Sequence, residues 1–274
     1  MCLAAIVAVE RFCHKQTRGF MIYKITGSNA HGPVSALTPD IASILDQPFH
    51  FLSKGGQCYA FISQDKTTVL KFFKQHHIRL WNWFNQISLG PFDDKRKYLI
   101  QKHSYQSSFM FDSCKIALED LKEETGLVYV HLNQTNIFKK KLIIYDNLKI
   151  AHQIDLDITD FVLQKKATSS YATLKRHMRN KNLYGAKECL DSLVSLIKEK
   201  QDKGIADRDF NIRTNIGYVG NRAIEIDLGS FYKGPQLETK KLELFKEWLE
   251  DKSPELYSYL NYKLEAIYGE VNKN

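Results

Sequence analysis

The chain has 274 residues, 43% hydrophobic and 26% charged, a balance ordinary for a globular protein with length enough to bury a core. Its formal net charge of +8 favours anionic partners such as nucleotides, nucleic acid or a membrane surface, although a solvated basic surface accounts for it equally. Five cysteines with no Cys-x-x-Cys spacing argue against a disulfide framework or a zinc site and for a reducing compartment.

Near the start, Leu3 to Val9 is far too short to span a membrane, and it lacks the charged leader and cleavage site of a secretory signal. A cytoplasmic location without a membrane span is expected. Residues 1–30 are expected to form a tail, with Met21 a more typical start. The first organised block is an antiparallel meander: a strand Phe49–Leu52, a turn Ser53–Gln57, a strand Cys58–Ser63, a turn Gln64–Lys66 and a strand Thr68–Phe73. Cys114, Ala117, Leu118 and Leu121 then share one helix face, with Gly126 placed as a left-handed cap. Leu127–Leu132, Lys141–Tyr145 and Thr159–Leu163 read as strands, and Gln164–Ser170 loses its apolar pattern as a linker would.

The remainder is mainly helical. Ala186, Leu190, Leu193, Val194 and Ile197 predict a helix over Tyr184–Lys200. A polar loop, Asp202–Asn215, leads into short strands Ile216–Val219 and Ala223–Ile226. Leu242, Phe245 and Leu249 mark one further helix. Ser253-Pro254 opens a last one, with Leu256, Tyr259, Leu260, Leu264 and Ile267 inward.

Four local features carry candidate chemistry. Gly55 and Gly56, in the turn before Gln57 and Cys58, would let backbone N–H groups approach phosphate oxygens, although a plain hairpin turn has the same look. Lys71 shares a strand face with Val69 and Phe73, where an ammonium needs an anionic partner or must snorkel from an edge. The loop Asp207–Asn215 concentrates carboxylates, amides and arginines as a phosphoryl-transfer site requires, or as any polar turn does. Asp227 ends an apolar strand with Gly229 two residues on, a rigid mount for a metal ligand or simply an Asp turn.

Taken in order, these segments resemble the glycine-rich loop, strand-three lysine, catalytic loop and Asp-x-Gly metal motif of protein kinases and their atypical relatives, over roughly residues 49–232. The resemblance implies an α+β, two-lobed protein-kinase-like fold. An antiparallel β-sheet N-lobe with one main helix would cover residues 31–165, and a short, mainly helical C-lobe residues 166–274. It also implies ATP and Mg²⁺ as cofactors. Lys71 would hold the α- and β-phosphates, Gly55, Gly56 and Gln57 would cover them, and the strand end at Leu163–Lys165 would read the adenine. Asp209 would orient the acceptor or act as its base, and Asn215 and Asp227 would ligate Mg²⁺.

Several positions depart from the family pattern. Asp207 replaces the usual histidine, Asn211 stands where a lysine is usual with Arg213 as its substitute, and Asn215 lies one residue further on than in protein kinases. Glu119, Glu123 and Glu124 compete as partners for Lys71. Only 47 residues follow Asp227, which points to minimal or small-molecule kinase relatives rather than conventional protein kinases. The expected partners are a nucleotide and an acceptor, protein or small molecule. The alternative is a pseudokinase that binds nucleotide or protein without turnover. A basic nucleic-acid-binding protein, with Trp81-Asn82-Trp83-Phe84 as stacking surface or buried packing, ranks third.

Overall fold

A computed structural model describes residues 11–12, 15–27, 32–75, 93–235 and 240–271. The chain divides into two compact units, one of Met1–Phe111 with Val128–Lys166, the other of Asp112–Leu127 with Ala167–Asn274. The Trp81–Phe84 aromatic run lies outside the described residues, as does the side chain of Ile267.

In the first unit a 3-10 turn over Ile22–Lys24 precedes a short helix, α1 (Pro39–Ile44), whose Thr38 side chain accepts from the Ile41 N–H while Pro39 takes the first turn. Strands β1 (Phe49–Lys54), β2 (Cys58–Ser63) and β3 (Thr68–Phe73) follow. Helix α2 (Asp93–Glu119) comes next, its residues from Asp112 on belonging to the second unit, then β4 (Leu127–His131), β5 (Lys141–Tyr145), β6 (Ala151–Asp155) and β7 (Phe161–Lys165). They form one seven-stranded sheet in the order β4-β7-β3-β2-β1-β5-β6. The sheet is not wholly antiparallel as expected: β1 and β5 pair in parallel, Phe49 opposite Ile144 and His50 opposite Tyr145.

Alternation decides which face is buried. Tyr59 lies opposite Phe72, and Phe61 opposite Leu70. Across the next ladder Leu70 meets Leu163 and Phe72 meets Phe161. All six are fully buried in one aromatic-rich cluster. Phe61 and Phe72 meet edge to face at 5.8 Å, and Phe72 meets Phe161 at 6.2 Å. Phe20 belongs to the same cluster, and the Tyr59 hydroxyl donates to the Gly19 carbonyl at 2.6 Å. The expected tail is therefore packed structure at these residues.

Three other expectations shift. Gln164–Ser170 is mostly strand, since β7 runs to Lys165 and β8 (Thr168–Ser169) pairs with the second unit's sheet. The strand read at Thr159–Leu163 starts at Phe161, after a 3-10 turn over Leu156–Ile158. Gly126 is left-handed at φ 59°, but α2 ends earlier, at Glu119, and the glycine closes the turn that follows.

In the second unit α3 (Ser170–Arg179) leads into α4 (Leu183–Asp202), capped by the Asn182 side chain on the Gly185 N–H at 2.9 Å. A Cβ at Gly185 would come within 2.6 Å of His177, so glycine permits the close approach of α4 to α3. The predicted α4 face, Ala186, Leu190, Leu193, Val194 and Ile197, is buried throughout. Strands β9 (Ile205–Asp207), β10 (Ile216–Val219), β11 (Arg222–Glu225) and β12 (Phe231–Lys233) form two small sheets, β11-β10-β8 and β12-β9. Helices α5 (Lys240–Lys252) and α6 (Pro254–Val271) contribute Phe245, Leu249, Leu256 and Leu260 to the same core. No helix among the described residues is long and apolar enough to cross a membrane.

Candidate active site

Strand β9 delivers Asp207 into the interior at 2% exposure. Its carboxylate accepts from the N–H of Asp209 at 2.7 Å and from the Ser230 hydroxyl. The side chain thus shapes the turn that carries Asp209 and ties it to the segment after Asp227. Backbone pairing repeats the link, with Phe231 opposite Asp207 and the Arg208 N–H on the Ser230 carbonyl at 3.1 Å.

Asn215 closes the loop. It is buried, its side-chain nitrogen donates to the Asp209 carbonyl at 2.7 Å, and its side-chain oxygen accepts from the Thr214 hydroxyl at 2.7 Å. Its backbone carbonyl accepts from the Ile226 N–H at 2.6 Å, which places Asp227 one residue beyond. Asp227 is exposed and accepts from the Gly229 N–H at 3.1 Å. Asp209 is exposed as well. The second unit therefore brings the loop of Asp209 and Asn215 beside the strand end of Asp227.

Beneath the loop lies a charged group that sequence reasoning did not find. Lys200 and Glu225, 3% and 0% exposed, form an ion pair at 2.5 Å, and the Asp207 carboxyl acts on Glu225 as a like charge. Burial pushes the Glu225 carboxyl up to about 8; the Lys200 ammonium opposes that rise, and Asp207 adds to it. The Lys200 ammonium also lies 5.3 Å from the ring centroids of both Phe210 and Phe231. A signal was present: Lys200 follows Ile197 by three residues, on the buried face of α4.

The donor set suits a hard cation. Among the described residues no group of three or more His, Cys, Asp or Glu is arranged to hold a metal. Mg²⁺ does not require one, because it is commonly held by one or two protein oxygens together with substrate phosphates and water. The Asn215 nitrogen donates to the Asp209 carbonyl and its oxygen accepts from the Thr214 hydroxyl, which leaves that oxygen one further lone pair.

In the first unit Lys71 lies on β3, half-buried, opposite Ala60 on one side and Val162 on the other. Val69 and Phe73, on its face, are buried. Glu119, Glu123 and Glu124 ion-pair with Lys115, Arg222 and Lys203 respectively. Leu163 is fully buried in the core, so its side chain serves packing. Gly55, Gly56 and Gln57 are exposed at the β1–β2 turn. Neither glycine has a positive φ, and a Cβ at Gly56 would meet nothing within 4 Å, so the turn itself does not demand glycine. Lys74, which the sequence did not single out, reaches the turn and donates to the carbonyls of Gly55 and Gly56.

No protein-family profile matches the chain, and no curated protein matches it. Among solved structures it is similar to a high-resolution crystal structure of WbdD, at 14% identity and a TM-score of 0.40. That match covers 80% of this chain and 45% of WbdD. A second structure, described as the bifunctional kinase-methyltransferase WbdD, is 14% identical at a TM-score of 0.36, covering 78% of this chain and 43% of that one. WbdD co-crystallised with the kinase inhibitor LY294002 gives 12% identity and a TM-score of 0.35, covering 80% of this chain and 45% of that one. The chain thus spans less than half the length of these neighbours.

Proposed function

We propose that this chain is a Mg²⁺-dependent, ATP-using phosphotransferase of the protein-kinase-like class, its two compact units corresponding to the N- and C-terminal lobes of that fold. The observation that carries the reading is the hydrogen bond from the Asn215 amide to the Asp209 carbonyl, with the Asn215 carbonyl bound to the Ile226 N–H. These bonds set an exposed carboxylate, an amide oxygen and a second exposed carboxylate on adjoining, mutually braced loops. Phosphoryl transfer needs little more from a protein than positioning and charge neutralisation.

In this reading Asp209 accepts a hydrogen bond from the acceptor hydroxyl and takes its proton. Asn215 and Asp227 hold Mg²⁺, which when bound would neutralise phosphate charge. Lys71 pairs with the α- and β-phosphates, and the Gly55-Gly56 turn covers them. The acceptor is a protein or a small molecule carrying a hydroxyl.

One observation favours the pseudokinase alternative. The Asn211 side chain caps its own turn by accepting from the Arg213 N–H at 3.1 Å, and the Arg213 guanidinium lies 5.8 Å from the Tyr171 ring centroid. The residues standing in for a loop cation are thus engaged locally.

Electron paramagnetic resonance of Mn²⁺, used in place of Mg²⁺, separates these readings from no site at all. Wild-type protein with ATP is expected to sequester Mn²⁺, and Asp227→Ala to weaken that by about tenfold or more, the loss of one charged ligand. Equal Mn²⁺ binding by the two proteins would remove Asp227 from the site.

A further inference from the structure

Lys74 leaves the end of β3 and reaches back over the β1–β2 turn. Its ammonium donates to the Gly55 carbonyl at 2.5 Å and the Gly56 carbonyl at 2.9 Å, and lies 4.6 Å from the Tyr59 ring centroid. Its backbone N–H donates to the Gln57 carbonyl at 2.9 Å. In a trans peptide the carbonyl of one residue and the N–H of the next point to opposite sides. Drawing two successive carbonyls to one ammonium therefore turns the N–H groups of Gly56 and Gln57 together, away from Lys74. Successive N–H groups facing one way form an anion-binding concavity. The open space where a Gly56 Cβ would stand leaves room for a close approach.

The surrounding charge has the same sense. Lys54 and Lys24 both act on Lys74, and the Lys24 carbonyl accepts from the Gln75 N–H at 2.6 Å, which holds that segment alongside. Burial and these two like charges press the Lys74 pKa down to about 8, opposed by the Cys58 thiol.

We propose that Lys74 is a positioning residue that locks the Gly55-Gly56 turn with the Gly56 and Gln57 N–H groups outward, forming a cradle for a polyphosphate chain. This deepens the phosphotransferase reading and rests on it. The phosphate-binding turn is braced from behind by its own lysine, distinct from Lys71.

Calorimetric titration of the full chain with ATP, inorganic tripolyphosphate and adenosine tests the inference in wild type, Lys74→Met and Lys74→Arg. Lys74→Met is expected to weaken ATP and tripolyphosphate about tenfold, as loss of a charge-assisted brace would, and to leave adenosine within about twofold. Lys74→Arg should recover most of the loss, because a guanidinium still donates to two carbonyls. Tripolyphosphate binding unchanged in Lys74→Met overturns the inference. Equal weakening of all three ligands overturns it too, by assigning Lys74 to folding alone. Wild type that binds ATP but not tripolyphosphate refutes the cradle and leaves the nucleotide site standing. Wild type that binds neither ATP nor tripolyphosphate removes both.

Discussion

The side-chain nitrogen of Asn215 lies 2.7 Å from the backbone carbonyl of Asp209 and its side-chain oxygen 2.7 Å from the Thr214 hydroxyl, so one amide closes the loop with both of its polar atoms. Replacing it removes two things at once. Asn215→Ala is expected to cost about 1–3 kcal/mol of stability by removing the two side-chain hydrogen bonds that close the loop. On the proposed function it should also lower ATP turnover by at least about tenfold, through loss of a proposed Mg²⁺ ligand. Thr214→Val, which removes only the hydroxyl bonded to the Asn215 oxygen, should retain metal binding. A melting curve and a Mn²⁺ titration on the two variants check both statements.

The buried pair of Lys200 and Glu225 makes a sharper prediction about stability. Above about pH 8, where Glu225 is ionised, Lys200→Met alone leaves a buried carboxylate without its cation and is expected to cost about 3–5 kcal/mol, whereas Lys200→Met with Glu225→Leu should recover most of that. Chemical denaturation of the two single variants and the double variant measures the coupling. Additive losses would show that the pair is not energetically linked.

Glu225 also sets a pH dependence. Its folded pKa, about 8, lies above the ordinary 4.5, so the folded state holds the proton more tightly than the unfolded chain between those values. Its contribution to stability is fully present below about 4.5 and is lost as pH rises through about 8. Glu225→Gln, which cannot titrate, should flatten that part of the stability profile. An unchanged slope in the variant would place the titration elsewhere.

Lys74 gives the opposite sign. Its folded pKa, about 8, lies below the ordinary 10.5, so the unfolded chain holds more protons between those values and stability rises with pH across that window. Tripolyphosphate affinity should fall over the same rise, because the ammonium that braces the turn is lost. Lys24, Lys54, Cys58 and Tyr59 are the other titratable groups facing it, so Cys58→Ser is the control that isolates the lysine. Affinity that stays constant across pH 8 in both proteins would contradict the assignment.

Much of the architecture was legible because period and punctuation agree. Strands β2, β3, β5 and β10 fall on the predicted residues, each an apolar or β-branched run bounded by turn residues. Strand β6 was missed because Ala151-His152-Gln153-Ile154-Asp155 carries a single buried apolar residue, and its pairing with β5 supplies what local propensity lacks. Most of α2 was missed because its first two turns are largely charged and show no apolar stripe. Within the candidate site, Asp209, Asn215 and Asp227 were legible as polar residues at strand and loop ends. Lys200, Glu225 and Lys74 were not: a lysine on an apolar stripe reads as an exception until its carboxylate or carbonyl partners are seen.

The measurement that tests the account most directly is a thermal-shift titration with ATP, with and without Mg²⁺, on wild type and Asp227→Ala. A Mg²⁺-dependent rise in melting temperature that grows with ATP concentration and is lost in Asp227→Ala is the predicted result, since a ligand bound only by the folded state stabilises it by mass action. No rise under any condition would contradict the account.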